Sequence, residues 1–169
     1  MEALDSILNR RSIRQYTDQP IKETDIEMLL KAAMAAPSAG NQQPWHFVVI
    51  KDPEVKKRIL EFHPYAQMLL QAPLAIAICA DLALERFTGY WVQDCAAATQ
   101  NILVAAHGLG LGAVWLGMHP QKERMEGLKE LLHLPDQVKP LAVVALGHPA
   151  EEKERANRYQ KDRIHFNQW

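Results

Sequence analysis

The chain has 169 residues, a length that suits a single domain, residues 1–169, able to bury about 70 % of its unfolded surface. Its 19 basic and 20 acidic residues leave a net charge of -1, so no overall field attracts nucleic acid or an anionic membrane. Cys79 and Cys95 lack CxxC spacing, which argues against a metal or disulfide framework and favours a reducing, cytoplasmic compartment. Neither a signal peptide nor an apolar run long enough to span a membrane is predicted.

Hydrophobic spacing predicts helices and strands that alternate along the chain. Apolar residues at helical spacing predict a first helix ending at Arg10–Arg11 and a second beginning near Lys22 and ending before Pro37. Further helices are predicted after Pro53, over 91–107 and over 125–132, and strands over 46–50, 74–80, 113–116 and 140–146. Because several strand runs are continuously apolar, this pattern alone favours a parallel, doubly wound sheet.

Two segments suggest contacts beyond one small domain. The predicted helix over 91–107 is apolar except for a narrow stripe, formed by Gln93, Asp94, Gln100 and Asn101. A helix of this kind needs cover on most sides, which suggests a second subunit. After Pro149 a charged stretch without core periodicity ends in Ile164, Phe166 and Trp169. This segment is either a frayed tail or a strap, and its terminal tryptophan favours docking on another surface.

A cluster of basic residues follows the first predicted helix. Arg10, Arg11 and Arg14 surround Ser12 within five positions. Guanidinium groups bind phosphate oxygens in bidentate pairs, and a hydroxyl or nearby N–H groups can complete such a site. Arginines at this position also complement a helix dipole or simply remain solvated. The cluster therefore indicates a phosphate site without excluding a structural role.

A proline-bounded loop runs from Pro37 to Trp45 and contains three consecutive carboxamides. Carboxamides offer both donors and acceptors, which the edge of a uracil-like ring requires. Turn chemistry explains the serine, glycine and asparagine but leaves the Gln-Gln-Pro-Trp sequence unexplained. A ligand role and an ordinary turn both remain open.

A third candidate lies where the strand over 113–116 ends. Trp115 and Leu116 lead into Gly117, which would allow a ligand to approach the backbone closely. Ligands of open α/β sheets bind beyond the carboxyl ends of strands. The sequence therefore predicts a backbone contact here, although a simple turn would also contain glycine.

Other residues that often carry chemistry are given structural roles. The glycines at 108, 110 and 112 follow a helix instead of a strand, so they predict a helix C-cap and not a dinucleotide site. No cation near either cysteine would create a nucleophilic thiolate. His63, His107 and His133 are interpreted as capping or surface residues, and no metal site is predicted.

The segment Arg10-Arg11-Ser12-Ile13-Arg14, followed by the loop from Pro37 to Trp45, resembles the nitroreductase family of FMN enzymes. The sequences over 108–117, 147–149 and 158–169 resemble the family in the same order. The resemblance implies an α+β fold with a central, mainly antiparallel sheet flanked by helices. It also implies an intertwined homodimer whose C-terminal strand crosses to the partner's sheet.

The resemblance also assigns the cofactor-binding residues. They are Arg10, Arg11, Ser12, Arg14 and Arg158 near the phosphate and ribityl chain, Pro37, Ser38 and Asn41 from the other subunit, and Trp115, Leu116 and Gly117 near the ring. Gly117 and Arg14 are expected to tune the flavin through fixed charge. No side chain is expected to act as a catalytic acid, because the flavin carries the chemistry.

The implied function is an FMN oxidoreductase that transfers hydride from NADH or NADPH through flavin N5 to a small oxidant. A nitroaromatic or a quinone would be such an oxidant, in ping-pong exchange. Alternatives are a dehalogenase or an enone reductase of the same family, or an FMN-binding or flavin-buffering protein with little turnover. Nothing in the sequence selects the oxidant or chooses between NADH and NADPH.

Overall fold

A four-stranded antiparallel sheet forms the centre of the computed structural model, which describes residues 3–169. Its strands are β1 (Trp45–Ile50), β2 (Leu74–Asp81), β3 (Gly112–Gly117) and β4 (Val138–Gly147), in the spatial order β1-β2-β4-β3. The antiparallel sheet implied by the family resemblance is confirmed. The parallel, doubly wound sheet favoured by the strand pattern alone is wrong.

The continuously apolar strands have a physical explanation in the two layers that cover the sheet. Five α-helices occur in the described part of the chain: α1 (Ala3–Asn9), α2 (Glu23–Met34), α3 (Pro53–Arg58), α4 (Trp91–Gly108) and α5 (Lys122–Leu131). Ile76 and Ile78 of β2 enter a core with α2 and α4, while Ala75 and Ala77 enter a second core with α5. Both faces are therefore buried, which gives an antiparallel strand the apolar run typical of a parallel one.

The segment after α1 lies along the outer edge of β3. Ser12 forms a parallel bridge with Ala113, and the Ile13 N–H donates to the carbonyl of Ala113 at 3.0 Å. Farther along, the buried Tyr16 hydroxyl donates to the carbonyl of Ile13 at 2.6 Å. These contacts fix the arginine-containing segment against the start of β3.

The surface retains much exposed apolar area. Leu4, Ile7 and Leu8 of α1 are exposed, as are Met28 and Met34 of α2. The chain after residue 150 contains one short helical turn, and the Trp169 side chain is fully exposed at 101 %. Its expected docking therefore does not occur on the same chain. None of the helices within residues 3–169 is both long and apolar enough to cross a membrane.

Candidate functional site

The arginine segment lies beside a cleft formed with the C-terminal tail. The cleft has a volume of about 450 Å³ and is lined by Ile7, Leu8, Arg10, Arg155, Ala156, Asn157, Arg158 and Tyr159. A second cleft of about 390 Å³ contains Arg10 and Arg11 together with His107 of α4. Arg158 thus lines the same cleft as Arg10, and Arg10 also lines the second cleft, at the end of α4 and the start of β3.

Two guanidinium groups in this cluster have buried donors without partners. The Arg10 Nη1 and Arg11 Nε atoms are buried and make no hydrogen bond within the described part of the chain. Burial lowers the pKa of Arg10, and the positive charges of Arg158 and Arg11 lower it further. Like charges held together with unused donors favour a bound anion, because an anion satisfies both deficits.

The other members of the segment are fixed through their backbone. Glu151 accepts from the Arg14 N–H, which is the largest cause that lowers the pKa of this carboxyl group. Lys153 donates from Nζ to the carbonyl of Ser12 at 2.8 Å. The Arg14 side chain is exposed. The backbone is therefore fixed while the Arg14 guanidinium remains available to a ligand.

The backbone register of β3 determines which groups reach its outer edge. The Met118 N–H donates to the carbonyl of Leu141 at 3.0 Å, so Gly117 opposite Ala142 is a non-hydrogen-bonded position. The N–H and carbonyl of Gly117 consequently point away from β4, and those of Trp115 do the same. Leu116 directs its backbone groups toward β4, and its side chain is buried. This register favours Trp115 and Gly117 over Leu116 as donors to a ligand.

A cationic and aromatic cluster adjoins Gly117, and the sequence patterns did not single it out. Arg124 donates from Nη1 to the carbonyl of Gly117 at 3.1 Å and lies 3.4 Å from His63 Nε2. Its guanidinium carbon is 5.8 Å from the centre of the Tyr65 ring. No periodic signal identifies Arg124, since a basic residue in a first helical turn usually indicates a solvated face.

The loop between α2 and β1 has an unusual backbone. Gly40, Asn41 and Gln43 have φ values of 52°, 54° and 47°, a region that residues other than glycine rarely adopt. The Ser38 hydroxyl accepts from the Gln43 N–H at 3.0 Å. Pro37 and Asn41 are exposed and Ser38 is half-buried. The loop therefore presents these three predicted ligands on a strained, closed turn.

A buried network holds this loop in place, and Gln42 and Asp94 are its central residues. Asp94 of α4 is 4 % exposed and accepts from the Ala39 N–H at 2.9 Å and from Gln42 Nε2 at 2.7 Å. Gln42 Oε1 in turn accepts from the N–H groups of Arg86 and Phe87 at 2.9 and 3.0 Å. Gln42 is 6 % exposed and its amide already makes three hydrogen bonds within the chain, so it does not offer its edge to a ring, contrary to the role suggested by the loop's three carboxamides. An acidic residue in an otherwise apolar helix is the sequence signal for Asp94.

The loop and the arginine segment lie far apart within one chain. The loop leads into β1 and the arginine segment lies along β3, and these strands form opposite edges of the sheet. Three strand spacings separate the edges, about 14 Å. The structure therefore does not bring the two halves of the predicted site together in a single subunit.

The remaining histidine and cysteine assignments have mixed outcomes. His63 is only 2 % exposed, so its assignment as a capping or surface residue is wrong. Burial lowers the pKa of His63, and the charge of Arg124 lowers it further. Both cysteines are buried free thiols, and burial raises the pKa of Cys79 to about 12. No group of metal-binding side chains occurs within residues 3–169.

Comparison with known proteins gives matches over nearly the whole chain. The model of the "Nitroreductase family" matches residues 7–63 and 62–148. A "Putative NADH dehydrogenase/NAD(P)H nitroreductase" of Archaeoglobus fulgidus is 51 % identical over 172 residues, covering 99 % of each protein. A crystal structure of a "Putative NADH Oxidase" from Clostridium acetobutylicum has a TM-score of 0.94 and 46 % identity, covering 98 % of this chain and 100 % of that one. A "putative nitroreductase in complex with FMN" from Desulfovibrio desulfuricans has a TM-score of 0.86 and 31 % identity, covering 100 % and 98 %.

Proposed function

Because the chain belongs to the nitroreductase family, we propose that it is an FMN-dependent oxidoreductase that uses NADH or NADPH to reduce a small acceptor. A nitroaromatic or a quinone is the class of acceptor that we assign. The functional unit is a homodimer in a reducing, cytoplasmic compartment, with neither nucleic acid nor membrane as a partner. Support comes from the FMN named in the Desulfovibrio structure and the NAD(P)H named in the Archaeoglobus relative.

The unpartnered donors of Arg10 and Arg11 are the observation that carries this proposal. A terminal phosphate supplies acceptors for both guanidinium groups, and its charge relieves the mutual repulsion of Arg10, Arg11 and Arg158. The residues present therefore fit a mononucleotide. Ser12 and Arg14 complete the phosphate and ribityl end of the assigned site.

The outer edge of β3 offers a path from the phosphate to the ring. Ala113, which contacts the arginine segment, and Gly117 are four residues apart on one strand, or about 13 Å along an extended chain. An extended ribityl chain can follow this edge. The outward N–H of Gly117 then lies beside the ring, with the Trp115 backbone and Leu116 of the same strand behind it.

The partner subunit supplies the other wall of the site. A chain's own loop is separated from its β3 edge by the width of the sheet, so we assign Pro37, Ser38 and Asn41 to the cofactor bound at the partner's β3. The apolar surfaces of α1 and α2 and the exposed tail supply contact area for such a dimer. The outer edge of β1 has no neighbouring strand within residues 3–169, and we assign this edge to the partner's tail, which would add a strand there.

The chemistry supplied by bound FMN is hydride exchange, first with NAD(P)H and then with the acceptor. The residues of this chain bind, orient and polarise. Arg10, Arg11 and Arg158 hold the phosphate, while Arg14 and the Gly117 N–H place positive potential near the ring. Fixed donors of this kind stabilise developing negative charge without reorganising during the reaction.

Purification and anaerobic mixing test the proposed activity. We expect a yellow protein that releases FMN and not FAD on denaturation, because one arginine cluster fits one terminal phosphate. Anaerobic NADH or NADPH should bleach the flavin rapidly, and a quinone should restore the colour. Failure to bind added FMN would contradict the proposal, and slow bleaching with both donors would instead support a flavin-buffering protein.

A mixing experiment tests the assignment of the loop to the partner. One chain carries Arg10→Ala with Arg14→Ala, and the other carries Ser38→Trp, whose bulk fills the flavin site that its loop faces. Each homodimer should be nearly free of flavin, whereas one site of the heterodimer receives only intact elements. Differently tagged heterodimers should therefore bind one FMN. Heterodimers as empty as both parents would contradict a site built from two chains.

A further inference from the structure

Asp94 is a buried carboxylate that the proposed hydride exchange does not use. It lies in the first turn of α4 and accepts both of its hydrogen bonds from the loop that precedes β1. An acidic residue in a first turn also complements the helix dipole. Since burial of an unpaired carboxylate is very unfavourable, these loop donors are required for Asp94 to occupy this position.

The network reaches a second segment through Gln42. The Gln42 side-chain carbonyl accepts from the N–H groups of Arg86 and Phe87, and Arg86 Nη2 donates back to the carbonyl of Gly40 at 2.8 Å. Asp94 therefore orients Gln42 by taking its amide N–H, which leaves the carbonyl to face residues 86 and 87. One carboxylate thereby fixes the relative position of two surface segments.

The loop backbone requires such a restraint. Positive φ angles at Gly40, Asn41 and Gln43 are sparsely populated conformations that persist only where the surroundings enforce them. Ser38 and Asn41, which we assigned to the partner's cofactor, lie on this strained turn. Their direction therefore depends on the hydrogen bonds that hold residues 39 and 42.

The second segment, residues 84–90, has the composition of a contact surface for a small apolar molecule. Phe87 and Tyr90 are half exposed, at 50 % and 48 %. Arg86 and Phe87 are joined through Gln42 to the loop that carries Ser38 and Asn41. Segment 84–90 therefore shares its fixed position with the residues assigned to the cofactor.

We propose that Asp94, acting through Gln42, is a positioning residue that sets both the cofactor loop and segment 84–90 in one rigid arrangement. This inference rests on the proposed function. Loss of the network loosens both segments together, so cofactor affinity and the KM for the acceptor change in parallel. Arg14 and Gly117 do not touch the network, and hydride exchange in a fully loaded protein is affected less.

Exchange of the two polar groups provides the test. Asp94→Asn places an amide donor against Gln42 Nε2, and Gln42→Glu places two carboxylates together. The double variant, Asp94→Asn with Gln42→Glu, restores every pairing, because the amide introduced at position 94 still accepts from the Ala39 N–H and donates to the new carboxylate. The new carboxylate also accepts from residues 86 and 87. Gln93→Glu is the matched control for Gln42→Glu, because it adds the same negative charge at an exposed residue next to Asp94.

We expect each single substitution, Asp94→Asn or Gln42→Glu, to weaken FMN binding about tenfold and to raise the acceptor KM, since a hydrogen bond to a charged group is lost. The double variant should return the FMN affinity and the acceptor KM to within about threefold of the original protein. Backbone hydrogen exchange at residues 39–43 and 86–87 should rise and fall in the same order. A lower Tm with unchanged FMN affinity, or a double variant as weak as the single ones, would overturn the proposal.

Two further measurements keep the outcomes separate. If Asp94→Asn yields no folded protein, Gln42→Met keeps the side chain's length and removes only its own hydrogen bonds, and it should give the same loss of affinity. If the unaltered protein binds no FMN, the proposed function fails. Backbone hydrogen exchange at residues 86–87 in the Asp94→Asn variant then shows independently whether Asp94 couples the two segments.

Discussion

The two halves of the proposed site are held in opposite ways. In the loop over 37–43 the buried polar groups of Gln42 and Asp94 are paired within the chain. In the arginine segment, Arg10 Nη1 and Arg11 Nε are buried without partners in the described part of the chain, and the nearby Arg158 adds repulsion. One half is complete before a ligand arrives, whereas the other half is completed by the ligand.

This difference indicates where binding free energy originates. A preorganised loop adds little entropic cost on binding, so it contributes shape and direction. An unsatisfied cationic cluster gains hydrogen bonds and loses repulsion when an anion enters, so it contributes most of the affinity. Damage to the arginine segment should accordingly reduce binding more than damage to the loop.

The largest expected effect follows from removal of the cationic half. Arg10→Ala with Arg14→Ala deletes two charge-assisted contacts of about 1.5–3 kcal/mol each, so FMN affinity should fall at least a hundredfold. Flavin fluorescence titration measures this loss. Because the apo protein is relieved of buried repulsion, the Tm of the apo protein should not fall in parallel.

The control for this change is Arg58→Ala, which removes an exposed arginine at the end of α3. It should bind FMN as the original protein does. Equal affinity in the double variant would mean that these arginines are solvated residues after a helix, and the comparison between the two halves would lose its basis.

Damage to the preorganised half should have an intermediate effect. At Gly40, with φ +52°, an added Cβ would lie 2.1 Å from Phe87 Cε2, whereas at Gly89, with φ +90°, it would meet nothing within 4 Å. Gly89→Ala therefore introduces only backbone strain, about 1–2 kcal/mol. Gly40→Ala adds a steric clash in the loop and should also weaken FMN binding, by about tenfold.

Calorimetry and flavin titration of the two alanine variants separate strain from misdirection. Both variants should unfold at lower temperature, but only Gly40→Ala should bind FMN weakly. Weak binding in both would indicate that global stability, and not the direction of the loop, controls affinity.

A smaller effect is expected at the buried histidine beside Gly117. The pKa of His63 in the folded protein is lowered from 6.5 by burial and by Arg124, so the unfolded chain binds a proton first. The contribution of His63 to the free energy of unfolding is therefore complete above pH 6.5. It is lost as the pH falls toward the lower pKa of His63 in the folded protein. The Tm should thus fall on acidification less steeply in His63→Gln than in the original protein. His46→Gln, at an exposed position of β1, should leave the slope unchanged.

No effect is expected at the two thiols, which lie in the core and outside both halves. Cys79 and Cys95 are buried, and burial raises the pKa of each thiol, to about 12 for Cys79. The folded protein should react with a thiol reagent only through unfolding. Rapid labelling with loss of FMN would place a cysteine in the site and contradict this arrangement.

Sequence periodicity predicts the helices and strands well but not the direction of the strands. Leu74 to Ala80 is recognisable as a strand because its residues are uniformly apolar, and the same uniformity suggests parallel neighbours. The true cause is cover on both faces, which periodicity cannot distinguish from parallel pairing. Only the family resemblance indicates the antiparallel arrangement.

The predicted site residues belong to local motifs, and those missed depend on tertiary contacts. Arg10 and Arg14 stand in one short motif, and Arg158 is assigned by resemblance alone. Asp94 and Gln42 interact across 52 positions, and Arg124 reaches His63 across 61. Neither pair has a local pattern, because their partners are set by packing of α4 and α5 on the sheet.

Because Phe87 lies close to Gly40, substitutions at these two positions should depend on each other during evolution. A side chain at position 40 requires the Phe87 ring to move, because Cε2 of that ring lies 2.1 Å from the place of the added Cβ, and a smaller residue at 87 opens that space without such a movement. Asparagine, which tolerates the left-handed backbone, then becomes the readiest replacement for Gly40. Among descendants of this sequence, we expect residue 40 to diversify more often in lineages that have first replaced Phe87. A laboratory library that varies residue 87 should therefore randomise residue 40 with it.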